Sequence, residues 1–289
     1  MSRLVRPALV AIGLGVIAYL VHRVGVAAIW SSFEMLSWRL LVVLFFPFSA
    51  ATFLHTLGWH YTFRVPPRSF GRLLGARLAG EAVNLATPTA SVGGEPVKAY
   101  LLRPGVPLPD GLASVVVDKT TVVLGQTILL LVGVIVGWLL VPTPSGLLVT
   151  MVGLLVVEIL AVSGFVAVQL HGVAGRGGRL LARFGVGPGA DHQAKLEGID
   201  RTVRALYRER PRRLAVSVLW HFAAFALGAI EIYLVVRFLA IPISLPVAFT
   251  IEAFSTGVKF ISFMVPASLG VLEGGNVAFF AAFGLGGAA

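Results

Sequence analysis

The sequence predicts an all-α polytopic membrane protein, with about five full transmembrane helices and two broken re-entrant helical hairpins arranged as an inverted repeat. Three observations lead there. The 289 residues are 57% hydrophobic and only 12% charged, with a mean hydropathy of +0.91. Several runs reach the roughly 20 apolar residues that a helix needs to cross a bilayer. Two further apolar stretches are interrupted by charges, proline and glycine in matching positions.

The composition excludes soluble globular classes, because so apolar a chain would leave too much hydrophobic surface in water. A net charge of +10 superficially suggests nucleic acid. The Lys and Arg residues, however, cluster in loops between apolar runs, which fits anionic lipid headgroups and no nucleic acid. With no cysteine, disulfides, iron–sulfur clusters and thiol chemistry are excluded. No cofactor and no metal site is expected.

The plain spans lie near 7–28, 38–59, 112–140, 145–170 and 214–239. The first follows Arg3 and Arg6 and ends in Val26-Ala27-Ala28, so it reads as a retained signal anchor or as a cleavable signal peptide. Arg64, Arg68 and Arg72 follow the second span, and Arg176, Arg179, Arg183, Lys195, Arg201, Arg204, Arg208, Arg210, Arg212 and Arg213 separate the fourth from the fifth. The opposing loops, Val141 to Ser145 and Ile241 to Ser244, carry no Lys or Arg. The positive-inside rule then places the basic loop, about 171–213, and the N-terminus in the cytoplasm of a cell with the protein in its inner or plasma membrane. Within that loop Leu196, Ile199, Val203 and Leu206 recur at helical spacing. They suggest an amphipathic helix, either a topology determinant touching headgroups or a lipid-recruiting surface. Gly133 and Gly137 form a GxxxG pattern, read as packing within the monomer or as a homodimer face.

The first interrupted segment, about 68–103, carries Arg77, Glu81, Asn84, Pro88, Gly93, Gly94, Glu95 and Lys98. Arg77, Glu81 and Asn84 fall on one helical stripe, and Pro88 with the glycine pair breaks the helix. The second, about 245–287, repeats the plan with Glu252, Ser255, Lys259, Ser262, Pro266, Gly270, Glu273 and Asn276. Counted from Pro88 and Pro266, a charge stands seven residues before (Glu81, Lys259) and a small polar residue four before (Asn84, Ser262). A glutamate stands seven after each proline (Glu95, Glu273). Three spans separate the segments, so the second enters from the opposite face. Broken backbone at membrane depth is tolerated where it is buried in protein or lines a wet cavity, and inverted repeats of broken helices build many secondary transporters.

Asp118 and Lys119 lie inside the third span, Glu158 in the fourth, and Glu231 and His221 in the fifth. An intramembrane charge costs about 2.5–3.5 kcal/mol on insertion scales and marks a functional candidate. The bland account pairs Arg77 with Glu81 and Asp118 with Lys119 or Lys259. His221 beside Trp220 reads as a packed core histidine. No Walker motif, HExxH pair or GxSxG elbow is present, so no catalytic residue is assigned.

The run from Gly80 to Pro88, then Val92-Gly93-Gly94-Glu95-Pro96-Val97-Lys98, Leu101-Leu102 and Ser114 to Lys119, resembles the lysylphosphatidylglycerol synthase transmembrane family of flippase-like proteins. The segment from Pro266 to Glu273 is similar to its C-terminal signature. In that family the basic residue after Gly-Gly-Glu is usually Arg, and Lys98 departs from it, offering a point charge in place of a bidentate fork. The resemblance implies movement of lipids between leaflets. It does not imply aminoacyl transfer, since the chain reaches Ala289 directly after the second hairpin, and a separate biosynthetic enzyme would supply the lipid. The expected activity is translocation of an anionic or aminoacylated phospholipid or a related lipid phosphate. The alternatives are polyprenyl-phosphate or glycolipid carriage, an intramembrane lipid-modifying enzyme and an accessory subunit.

The expected substrate-binding set is Arg77, Glu81, Asn84, Gly93, Gly94, Glu95, Lys98, Asp118, Lys119, Glu252, Lys259 and Glu273. Lys98, Arg77 and Lys259 would hold a phosphate beside the free amides at Gly93-Gly94, and the glutamates would organise those cations.

Overall fold

The computed structural model describes residues 25–86, 93–172, 190–262 and 270–285, with a few positions between 15 and 22. The expected first span, 7–28, falls largely outside them, as do Pro88, Pro266, Arg176, Arg179 and Arg183. Among the described residues every element is helical: α1 (Val26–Leu36), α2 (Arg39–His60), α3 (Phe70–Ala86), α4 (Gly94–Leu101), α5 (Leu108–Leu139), α6 (Ser145–His171), α7 (Ala190–Glu209), α8 (Pro211–Phe238), α9 (Leu245–Ile261) and α10 (Val271–Ala282).

Four helices are long and apolar enough to cross a membrane, namely α2, α5, α6 and α8. Prolines at the first turn open α5 and α8, where the missing N–H would have had no partner. Left-handed Gly172 (φ 68°) closes α6, a conformation that glycine adopts without steric penalty. Large apolar side chains cover the outside, including Phe45, Phe46, Phe48, Leu160 and Leu219. Trp38, at the start of α2, and Trp138, near the end of α5, are exposed. The chain is therefore a multi-pass membrane protein.

α5 is the hub of the bundle, packing against α2, α4, α6, α7, α8 and α9. α8 runs antiparallel to α2. Arg213 at its start donates to the His60 carbonyl at 3.3 Å, and Phe238 at its end lies under the Arg39 guanidinium. One core, around Leu129, Leu130, Met151, Ile251, Phe254 and Phe279, joins α9 and α10 to α5 and α6. Another, around Trp59, Phe63, Leu73, Ala99 and Leu102, joins α3 and α4 to α2.

The amphipathic helix exists as α7, but its apolar face is covered by protein. Val203 and Leu206 are buried against Ala113, Val117 and Leu214. Tyr207 donates to Gln169 Oε1 at 3.0 Å, and its burial pushes the phenol up, so it stays a donor. α7 thus closes one end of the bundle, and only its charged face is left to meet headgroups. The GxxxG face is likewise used inside the chain: a Cβ on Gly133 would collide with Ala253, and one on Gly137 would lie 3.2 Å from Thr250 Cγ2.

Candidate functional site

Each interrupted segment is a pair of short helices lying antiparallel. In the first pair Asn84 meets Gly94 while Glu81, three residues earlier, meets Lys98, four residues later. In the second pair the Phe254 and Phe279 rings meet edge to face and Ser255 donates to Asn276. Among the described residues the two pairs make no extensive contact with each other, and both pack on α5 or its neighbours. The tightest contact within the first pair is glycine against glycine: a Cβ on Gly94 would overlap the Gly80 carbonyl. Lys98 lies across Gly80 in the same way.

The charges of this first pair neutralise one another. Lys98 is buried to 1% exposure and donates to Glu81 at 2.6 Å and Glu95 at 3.2 Å. Lys119 reaches the same Glu95 oxygen at 2.8 Å. Asn84 spans the break, its Oδ1 accepting the Gly94 N–H at 2.7 Å and its Nδ2 donating to Glu95 at 3.3 Å. The amide expected to be open to a ligand anion is therefore filled by Asn84, and Lys98 cannot face a ligand without leaving Glu81.

Arg77 pairs with Asp118 at 3.3 Å and donates to the His55 carbonyl at 3.1 Å, so the expected pairings of Arg77 with Glu81 and Asp118 with Lys119 or Lys259 are not the ones formed. Successive residues on a helix point in different directions, so Asp118 turns inward to Arg77 and Lys119 turns to α4. Asp118 also accepts from His221 Nε2 at 3.0 Å, and His221 Nδ1 lies 2.8 Å from His55 Nδ1. His221 is wholly buried. Its space is made by Gly58 and Gly125, where a Cβ would come within 2.6 Å and 2.8 Å of it. Reading His221 as a packed core residue missed this chain. The available signal was a second histidine, His55, in another span, together with an intramembrane aspartate.

The second pair differs. A cavity of about 390 Å³ lies between α8, α9 and α10, lined among others by Glu231, Glu252, Ser255, Lys259, Asn276 and Phe280. Glu252 accepts from Thr256 at 3.1 Å and leans on Gly228. Among the described residues Lys259 has no carboxylate within ion-pair distance and Glu231 accepts no hydrogen bond. Glu273 is turned to its own helix, capping the Gly270 N–H at 2.7 Å. Glu158 is fully buried and held by Gln126 at 2.9 Å, with its second oxygen unpartnered among the described residues. No group of three His, Asp or Glu side chains poised for a metal occurs among the described residues.

A bundle of apolar helices with paired short helices and charges on its inward faces defines a polytopic membrane protein. The profile described as Lysylphosphatidylglycerol synthase TM region matches residues 7–289, and the chain belongs to that family. No curated protein and no solved structure matches it.

Proposed function

We propose that the protein is a lipid translocase of the inner or plasma membrane, N-terminus cytoplasmic, which moves an anionic or aminoacylated phospholipid or a related lipid phosphate between leaflets without changing it chemically. The observation that carries this reading is the cavity of about 390 Å³, whose lining combines Glu231 and Lys259, neither with an ion-pair partner among the described residues, with apolar Leu272, Val235 and Phe280. A polar headgroup joined to acyl chains presents the same combination, and membrane-embedded charges mark substrate paths. The two helix pairs act as re-entrant hairpins of an inverted repeat, hairpin A (α3 and α4) and hairpin B (α9 and α10). Hairpin A, with its cations paired, is the closed half of the cycle, and hairpin B is the open half. Arg77, Lys98 and Lys119 would meet the lipid phosphate when hairpin A opens.

The test is reconstitution in liposomes with tail-labelled lipids, following the leaflet of each label and the chemical identity of each lipid. Movement with unchanged lipid is expected, fastest for lipids bearing a phosphate. Chemical conversion would make the protein an enzyme, and neither movement nor conversion across phospholipids and polyprenyl phosphates would leave an accessory role. Single cysteines at Arg204 and Ser145 report orientation: labelling of Arg204 from outside would reverse the topology.

A further inference from the structure

We propose that His55, His221 and Asp118 form a proton-binding relay whose occupancy decides whether Arg77 stays anchored to α5, making a proton the ion that moves hairpin A. The proposal rests on the translocation reading for what the proton drives, and on geometry alone for where it binds.

The hydrogen-bond order assigns the protons. Asp118 faces Arg77 at 3.3 Å and is a carboxylate, so it can only accept, and His221 Nε2 must carry the hydrogen of their 3.0 Å contact. In a neutral imidazole the other nitrogen is then an acceptor. The 2.8 Å contact therefore requires His55 Nδ1 to donate to His221 Nδ1. Among the described residues no donor meets the lone pair on His55 Nε2, and His55 is partly exposed while His221 and Asp118 are buried. It is the point of entry.

A proton taken up at His55 Nε2 lets the Nδ1 hydrogen pass to His221 Nδ1, and the Nε2 hydrogen of His221 pass to Asp118 Oδ1. Both imidazoles end neutral in the opposite tautomer, Asp118 becomes a carboxylic acid, and one proton has entered. Arg77 then loses its ionic partner. Its remaining bond is to the His55 carbonyl, and it lies on α3, the entry arm of hairpin A. The charged groups that act on this chain are Arg77 from α3, Lys98 from α4 and Lys259 from α9, so both hairpins bear on it. The Phe225 ring also packs on His55, edge-on at 4.9 Å, and brings no charge, so the groups that act on His55 are the three cations and His221.

Two measurements test the relay. In protein labelled with ¹⁵N-histidine and held in lipid nanodiscs, a pH titration by NMR is expected to show His55 and His221 in complementary tautomers, exchanging them together on uptake of one proton. Asp118→Asn is expected to uncouple the two rings. Independent titration of His55, with His221 unmoved, would overturn the proposal. In proteoliposomes, a pH gradient is expected to speed lipid movement at least about tenfold. His55→Gln should abolish that response, because Arg77 stays locked, whereas Asp118→Asn should move lipid without regard to the gradient, because Arg77 is released. Matching losses in both variants, or a full gradient response in His55→Gln, would refute the relay. If no lipid moves under any gradient, the translocation reading falls, and the NMR titration alone decides the relay.

Discussion

Hairpins A and B follow one sequence plan yet solve the problem of intramembrane charge in opposite ways. In hairpin A the cation Lys98 sits between two carboxylates, and Asn84 closes the helix break. In hairpin B the cation Lys259 is exposed without an ion pair among the described residues, and Glu252 and Glu231 line an open cavity. The difference comes from position. Hairpin A has Lys119 and Asp118 of the hub helix beside it, whereas hairpin B packs on α5 through Leu130, Gly133 and Leu129. Hairpin A closes on the charged groups beside it, whereas hairpin B leaves Lys259 without an ion-pair partner among the described residues, although Glu231 of α8 lines the same cavity.

The largest test of this contrast is the same substitution in both halves. Lys98→Met strands Glu81 and leaves Glu95 with Lys119 and Asn84 alone, and is expected to cost about 3 kcal/mol, the lower end of the range for breaking a buried pair, read as a fall in Tm. Adding Glu95→Gln should recover part of it. Equal Tm losses from Lys98→Met and Lys259→Met would erase the distinction between the hairpins. Lys98→Arg is expected to destabilise as well, because the stem already touches Gly80 and overpacking a filled site costs about 1–3 kcal/mol.

Next in size is the glycine pair. Gly94→Ala drives a methyl group into the backbone of Gly80, which cannot move aside, and should cost about 1–3 kcal/mol. Gly228→Ala meets only the mobile carboxylate of Glu252 and should alter lipid movement more than stability. A larger Tm loss in Gly228→Ala would show that Glu252 is fixed in the fold.

Lys259→Met should leave stability within about 0.5 kcal/mol, as for a side chain outside the packed interior, while lipid movement falls about tenfold. Unchanged movement would remove Lys259 from the substrate path. A small change in stability, with none expected in lipid movement, follows at Glu158, where no cation balances the buried carboxyl among the described residues. Glu158→Gln exchanges it for a neutral amide of the same shape, with a change of about 1 kcal/mol at most. A loss beyond that would mean its charge is needed.

Hydropathy and the spacing around the two breaks were enough for the sequence alone to determine the helical class, four of the apolar spans and the paired short helices, and the motif residues from Gly80 to Lys119 pointed to the family. These are local properties: about 20 apolar residues must satisfy their backbone as a helix in lipid, whatever the helix later touches. Which charge meets which was decided only by the tertiary structure. Asp118 is adjacent in sequence to Lys119 but pairs with Arg77 and His221, and His55 meets His221 across 166 positions of chain. The open cavity at hairpin B and the covered apolar face of α7 have the same origin. A partner a few ångströms away is fixed by how α2, α3, α5 and α8 cross, and hydropathy carries no record of that crossing.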